Sequence, residues 1–525
     1  MLFSYLALAC TGCFHVLWII IMKKKVIAAG VIAALGVAWA GSTWYTGRQL
    51  EIRIKKMLTE ANAETERSPY TTGLELVQQN YQRGVFTSQF DLVVKPVDGV
   101  AQIWLKSGQT IVIKESIDHG PFPLAALKSF NPMPVFASVK TMLVNNDVTR
   151  PLFDPTNGQP LVGMDTRISY NGNTRTRITL APLNRETDPG KLSLSGGEFT
   201  LNADRDGTAF SLSGSLPTVQ FGMINENGMR TQLTLSNLLI NGSWFGGLTG
   251  YGGSQTVTLD KLDFSSDGGD YGQLEGLKVK CRAGLAEGGR TLNSGIDFTL
   301  NRLKLKNQDM GRGTLSLSLN GITGLAWHGF RYIYNANAQE AMPQLTGIAD
   351  NPEPFLQAQA DALRSAWPLL LKAEPELTIA PLSWTNNRGE ATFNLSLLLS
   401  DPEKLPRPPR TGAELVKKLD ARLVIPTTMA TGFMEQSAIL RGYKPEEAEK
   451  RVARQVKDLS ATGRMLHLTT EENNSITASL LYTAGQITLN GYKTSPEVFD
   501  GISGRVLNLP VPDALSGDAG TSGHE

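Results

Sequence analysis

From Leu161 to about Thr323 the chain alternates between apolar and polar residues. Leu192 and Leu194, Phe199 and Leu201, Leu233 and Leu235, and Val257 and Leu259 each stand two apart. Longer sets follow in Ile296, Phe298 and Leu300, and in Leu315, Leu317 and Leu319. The positions between them hold Ser, Thr, Asn or a charge, and a period of two puts each set on one face of a strand. Turns are marked by Asn171-Gly172, Ser195-Gly196-Gly197, Asp206-Gly207, Asn227-Gly228 and Asp267-Gly268-Gly269. This rhythm contains no βαβ unit. It predicts a long, twisted antiparallel meander, apolar on one face and small-polar on the other. Between Leu300 and Leu303 the alternation changes parity, which predicts a bulge or bend. Leu315, Leu317 and Leu319 are expected to share one buried face.

Helical spacing flanks this region. Leu50, Ile54, Met57 or Leu58, and Ala61 predict a helix over residues 47–64, a short stalk or the first packed helix of the body. Strands are expected at Leu74 to Val94, as a hairpin, and at 103–114. Residues 331–373 turn helical, with Pro354 suited to a first helical position and Leu363, Trp367 and Leu370 on one side. Strands return at Leu377 to Ile379 and Ala391 to Leu399. The run Asp401 to Arg410 predicts a stiff extended linker, followed by a short helix at 413–419 and a strand at 421–425. Two helices come next, the second starting at Pro445 with Glu446 and Glu447 in its first turn and Gly463 after it. Met429, Phe433, Met434, Ile439 and Leu440 give the first of them an apolar face rich in flexible side chains, which reads as core ahead of an adaptable lipid or peptide site. Strands at 465–468, 476–482 and 486–489 close the chain.

The N-terminus changes the setting. Met22-Lys23-Lys24-Lys25 precedes about twenty mostly apolar residues ending near Tyr45, long enough to cross a bilayer core. The lysines place their side in the cytoplasm and send the rest outward. Ala38-Trp39-Ala40 offers a signal-peptidase site, but the apolar run continues through Trp44 and Tyr45, which weighs for an uncleaved anchor. Residues 1–21 contain no Asp, Glu, Lys or Arg. They read either as half of a membrane hairpin or as an upstream extension of a chain that starts at Met22.

The expected organisation is an extension at 1–21, a signal-anchor at 22–46 and a helical stalk at 47–67. An antiparallel β body at 68–330 and helices with returning strands at 331–400 follow. A Pro-rich linker at 401–411, helices and closing strands at 412–495 and a disordered tail at 496–525 complete it. The fold class is mainly β with α (α+β), helical segments packing on the long meander behind an N-terminal membrane anchor.

Composition narrows the partners. The 525 residues are 41% hydrophobic with a formal net charge of +1, which argues against a nucleic-acid partner. Of three cysteines, Cys10 and Cys13 lie in the extension and Cys281 stands apart, so the body is expected to rest on its core without a disulfide. The five histidines are too scattered to suggest a metal site. His119 and His328 read as structural residues beside glycine. Asp204-Arg205-Asp206-Gly207 lacks the later ligands of a calcium loop and reads as a hairpin tip. Gly246 to Gly253 lacks the Gly-Lys-Ser/Thr ending of a phosphate cradle and reads as a flexible loop. Arg83 is expected in an ion pair or capping backbone. No nucleophile elbow, zincin motif or carboxylate pair stands out, so neither a catalytic residue nor a cofactor is expected.

Two motifs carry a resemblance. Asn80-Tyr81-Gln82-Arg83-Gly84-x-Phe86-x-Ser88 and His119-Gly120-Pro121-Phe122 follow the Met-Lys-Lys anchor, whose apolar run ends in Trp44-Tyr45-Thr46-Gly47. In these the chain resembles the YdgA/YihF group of enterobacterial envelope proteins, whose domain of unknown function spans nearly the whole chain. The resemblance implies an inner-membrane anchor and a periplasmic body, and it implies no reaction. Tyr81, Arg83, Gly84, Phe86, His119, Gly120, Pro121 and Phe122 are the candidate binding or structural motif. More loosely, the Gly-x-Phe-x-Ser hairpin is similar to that of AsmA-type envelope proteins, proposed to handle lipid.

Two functions fit this pattern. One is a non-enzymatic module whose apolar sheet face holds lipid or a hydrophobic envelope client. The other is an interaction scaffold with a closed core, and homo-oligomer formation is compatible with either. The topology is directly testable. A reporter that needs export, fused near the C-terminus, is expected to be active, and protease added to spheroplasts is expected to reach the body. Protection of the body from that protease would defeat the reading.

Overall fold

The computed structural model describes residues 58–495, apart from 64–72, 85–86, 98–104, 120–134, 157, 188–189, 225–227, 248–249, 268, 270, 286–290, 307, 342–352, 408, 410–411 and 484. The predicted anchor, the extension and the tail therefore lie outside the described residues. Among the described residues no helix is long and apolar enough to cross a membrane.

One antiparallel sheet of 22 strands organises these residues. The hairpin β1 (Leu74–Arg83) and β2 (Thr87–Pro96) is extended in turn by β3 (Ile111–His119) and β4 (Ala137–Leu143). A short helix α1 (Arg150–Phe153) precedes β5 (Val162–Ile168), which pairs with β4 and with β6 (Thr174–Leu180). β7 (Leu183–Thr187) and β8 (Gly190–Leu194) form a hairpin, and β9 (Gly197–Ala203) pairs with β6. The long β10 (Ala209–Ile224) joins the pieces, pairing with β9 along its first part and with β8 along its last. β11 (Arg230–Gly247), β12 (Gly250–Ser266), β13 (Tyr271–Leu285), β14 (Thr291–Leu305) and β15 (Gln308–Thr323) then run up and down beside one another.

After β15 come α2 (Gly324–Ala341), α3 (Glu353–Ala366) and α4 (Pro368–Leu371), and the meander resumes with β16 (Glu376–Asn386), β17 (Gly389–Leu399) and β18 (Val416–Pro426). The helices α5 (Thr427–Leu440) and α6 (Pro445–Met465) and the short β19 (Thr470–Glu472) lead to β20 (Ser475–Thr483), which pairs with β18. β21 (Gln486–Leu489) and β22 (Tyr492–Thr494) finish the sheet. The sheet passes the boundaries at 330, 400 and 411 without a break, and among the described residues β1 and β22 have one neighbour each.

Burial is uneven along this sheet. Phe90, Leu92, Val94, Ile113, Ile117, Val139 and Ile168 make a dense core on β2–β5. Leu58 joins it from a helical segment at 58–63, and Asn62 grips β1 through Nδ2 to Leu76 O (3.1 Å) and Leu76 N to its Oδ1 (2.8 Å). The described part of the predicted stalk is thus a packed helix of the body. A second core gathers Ile379, Leu395, Leu397, Val416 and Leu419 on β16–β18. At one end of the strands α2 packs on β14 and β15 through Ala326, Leu292 and Ile322. At the other, α5 lies against β15–β18, with Asn386 Nδ2 donating to Met429 O (3.0 Å).

Several expectations are corrected. The strand placed at 103–114 begins at Ile111 and ends at His119, because Gly108 (φ 83°) turns the chain and Gln109 N closes on Lys106 O (2.9 Å). The helix placed from 331 begins at Gly324, where Thr323 Oγ1 accepts from Ala326 N (3.2 Å), as a capping hydroxyl does. The run from Asp401 is no extended linker. Asp401 caps a 3₁₀ turn, Glu403 pairs with Lys372 (2.6 Å), Lys404 pairs with Glu374 (3.0 Å) and Ser400 N bonds Leu415 O (2.7 Å). The helix at 413–419 is a single 3₁₀ turn, and Leu419 belongs to β18. Gly463 and Met465 lie in the last turns of α6, so no strand forms at 465–468. Leu315, Leu317 and Leu319 do share a face, but each is half-buried.

This gradient sets expected costs. Leu92→Ala, at a fully buried site, should cost about 2–5 kcal/mol. Leu317→Ala should cost roughly half as much, on the order of 1–2 kcal/mol. Urea unfolding of both variants measures the difference, and equal costs would contradict the half-open face.

Candidate functional site

The apolar face of β10–β14 is built by one repeated irregularity. Along each strand the spacing of two between apolar residues widens once to three, at Leu216/Val219, Leu235/Leu238, Leu259/Leu262, Leu274/Leu277 and Leu300/Leu303. These steps fall at one level. Leu216, Leu238, Leu259, Leu277 and Leu300 are successive Cα partners across the five strands, and so are Val219, Leu235, Leu262, Leu274 and Leu303. Two straight apolar rows therefore lie side by side, with two residues per strand between them. Because every strand takes the extra residue at the same place, the pairing resumes without a shift through β10–β13.

The intervening residues are suited to that geometry. Asn237 (φ 56°) and Gly276 (φ 63°) take left-handed backbone, which Gly and Asn tolerate best. A Cβ on Gly276 would lie 2.2 Å from the Asn301 side chain, so only glycine fits. Asn237 Nδ2 donates to Asp260 Oδ2 (2.6 Å). Two successive residues on the polar side of each strand act as a shared bulge, which bends the strands and strengthens their twist. The polar side carries Lys304–Glu275 (2.9 Å), Lys261–Asp263 (2.9 Å) and Arg302–Asp309 (2.7 Å).

The result is an apolar trough whose rows are half-buried among the described residues. Of the apolar side chains on β10–β12 only Leu259 is buried among the described residues, while Phe210, Phe221 and Met223 are exposed at 43, 44 and 50%. Five strands about 4.8 Å apart make the rows ~19 Å long. At one end the Trp244 ring sits over Gly242 and Gly253 and stacks on Phe210 (5.0 Å). On the opposite face Phe245 covers Gly252. The glycine stretch at 246–253, expected as a flexible loop, is thus the tip of a paired hairpin whose aromatics fill the space glycine leaves. A recess of about 480 Å³ lies near the ends of β13–β15, lined by Arg282, Leu285, Asn293 and Asn320 among others.

The motif residues gather elsewhere, on β1–β3. Gly84 N donates to Thr87 O (2.7 Å) and closes the β1–β2 turn. Ser88, 1% exposed, meets His119 Nε2 at 2.9 Å, so the two halves of the motif touch through adjacent strands. A serine beside a histidine is the pairing of a nucleophile and its base; here the pair ties β2 to β3 at the edge of the packed core. Tyr81 packs on the β2–β5 core. Arg83 is exposed at the end of β1 and makes no ion pair among the described residues. Phe86, Gly120, Pro121 and Phe122 lie outside the described residues. His328 is exposed on α2, and Asp204 closes the β9–β10 hairpin through Ala209 N (3.0 Å), the tip expected of it.

The same core hides Glu115, fully buried. Thr141 Oγ1 donates to its Oε2 (2.7 Å), and its Oε1 has no partner among the described residues. Burial pushes this carboxyl well above the ordinary carboxylate range, the Thr141 bond opposing it. The described residues contain no cluster of three or more His, Cys, Asp or Glu able to hold a metal ion.

Fold and face define a class: a one-faced, open antiparallel sheet of unusual length with a dense core at one end. Residues 22–497 match the family described as "Bacterial protein of unknown function (DUF945)", and the chain belongs to it. It is 46% identical to "Protein YdgA" of Escherichia coli strain K12 over 94% of this chain and 99% of that protein. It is 27% identical to "Uncharacterized protein YihF" of the same organism over 92% of this chain and 99% of that one. An "Uncharacterized protein" of Haemophilus influenzae is 24% identical over 58% of this chain and 84% of its own length. These matches do not extend to AsmA-type proteins. No solved structure matches.

Glu115 generates a pH prediction. The unfolded chain releases this proton from about pH 4.3 upward, whereas the folded chain keeps it until its raised value is reached. The unfolded state then binds fewer protons, so the contribution of Glu115 to stability falls as pH rises. Glu115→Gln, which keeps an acceptor for Thr141, is expected to equal the parent near pH 4 and to melt at progressively higher temperature than the parent from pH 5 to 8. A pH-independent difference would mean that Glu115 is ionised in the fold.

Proposed function

We propose that the protein is a non-enzymatic envelope protein, held in the bacterial inner membrane by Met22 to Tyr45, whose periplasmic body binds an acyl chain along the trough. One observation carries the reading. The two apolar rows on β10–β12 are only half-buried, apart from buried Leu259, and their neighbours Phe210, Phe221 and Met223 are exposed, although the same residue types on β2–β5 and β16–β18 are buried. Extended apolar surface of this kind on a protein serves a ligand or a partner. Its ~19 Å length suits an acyl chain, since one leaflet's share of a bilayer core is about 15 Å. The packed helices found near the ends of β14–β18 leave the rows on β10–β12 accessible to a chain lying across the strands. A body tethered next to the membrane has its ligand at hand.

The second reading, an interaction scaffold with a closed core, draws on β16–β18, where Ile379, Leu395, Leu397 and Leu419 are already buried by neighbouring side chains. Leu277→Glu separates the two. Under the acyl-chain reading, uptake of a fluorescent fatty acid should fall at least tenfold while Tm moves by only a few degrees. Absence of uptake by the unmodified protein, or collapse of the variant, would put the scaffold first.

A further inference from the structure

Gln255 is the one buried amide on the apolar side of β10–β14, and it breaks the rule that governs its neighbours. It lies on the same side of β12 as Val257 and Leu259, and its Cα partners are Gly242 on β11 and Cys281 on β13. Its residue is only 4% exposed, and its Oε1 has no hydrogen-bond partner among the described residues. An acceptor left in that condition costs stability that Leu or Met at this position would not. The space beside it is filled by one ring, which a ligand group must displace to meet the amide. Gly242 opposite and Gly253 two residues before carry no side chain, and the Trp244 ring lies over both.

We infer that Gln255 holds the polar end of the acyl ligand, accepting a hydrogen bond from an uncharged hydroxyl such as that of an acylated glycerol. This rests on the acyl-chain reading above and adds the ligand's orientation and chemical class. An acceptor without a donor calls for a donor. The nearest described positions on this face are Gly242, Trp244, Gly253, Val257, Val279 and Cys281, with no charge among them. An ammonium group desolvated here would find no carboxylate, so a neutral hydroxyl fits and a cationic headgroup does not. Gln255 stands four residues from Leu259, or ~13 Å along the strand. A chain anchored there runs first along the strand over Val257 and Val279, and only its distal part lies across the leucine rows.

Two probes with one chain test this: monooleoylglycerol, which carries free hydroxyls, and methyl oleate, which does not. Their affinities are measured by displacement of a fluorescent fatty acid from the full-length protein, delipidated and held in amphipol. The unmodified protein should prefer monooleoylglycerol by about tenfold, the equivalent of one buried hydrogen bond. Gln255→Met should abolish that preference, leave methyl oleate binding within twofold and melt no lower than the parent. Gln255→Asn, with its acceptor drawn back, should retain part of the preference. An unmodified protein that binds both probes equally, or a Gln255→Met variant that keeps the preference, overturns the role of Gln255 while leaving the acyl trough standing. Binding of neither probe by the unmodified protein removes the trough reading and this inference with it.

Discussion

The structure depends on one constraint: strands of 15 to 18 residues must stay paired while their apolar side chains stay on one side. A strand that inserts a residue alone flips every later side chain to the wrong face. Here five neighbouring strands insert one together, and the flips cancel across the sheet. The backbone ladder survives because the positive-φ positions, Asn237 and Gly276, fall on alternate strands facing Asp260 and Asn301. On β15 the compensation is imperfect. Gly311 (φ 103°) takes the irregularity there, and the register slips between Leu300 and Leu303. Past β15 the face becomes core, with Ile379, Leu395, Leu397 and Leu419 buried on β16–β18.

That division explains how one sheet can be both stable and unfinished. The β2–β5 core carries side chains at or near zero exposure, including Leu92 and Ile117. Hydrophobic burial there, at about 25 cal/mol per Å², provides stability that the trough does not have to supply. The trough is held instead by its backbone ladder and by a Ser- and Thr-rich outer face with surface ion pairs, each worth well under 1 kcal/mol. A sheet stabilised at its two ends can leave its middle open to a ligand.

Much of this was legible in the chain. Alternation identified the meander and its faces, and the step from Leu300 to Leu303 announced the bend. The same step of three recurs at Leu216, Leu235, Leu259 and Leu274, and those recurrences are the signal from which the whole crease could have been read. Pairing in space is what turns five local steps into one line, and spacing alone does not show that. The errors share a cause. Gly108, Thr323 and Asp401 shift element boundaries through a single turn or cap, whereas periodicity averages over several residues. Gln255 was invisible for a different reason, since an amide in an alternating strand reads as a solvent-facing residue until its parity is fixed by its partners.

The two polar groups hidden in the sheet invite opposite conclusions. Glu115 sits in a finished core, is partly satisfied by Thr141, and can become neutral by keeping a proton. Its environment resolves the cost without help from any ligand. Gln255 has no such route, because an amide cannot discharge its acceptor by titration, and its strand neighbours are apolar or lack a side chain. The first is therefore a matter of stability and pH. The second keeps an unpartnered acceptor among the described residues, and in the proposed complex the head of an amphiphile completes it from outside the chain.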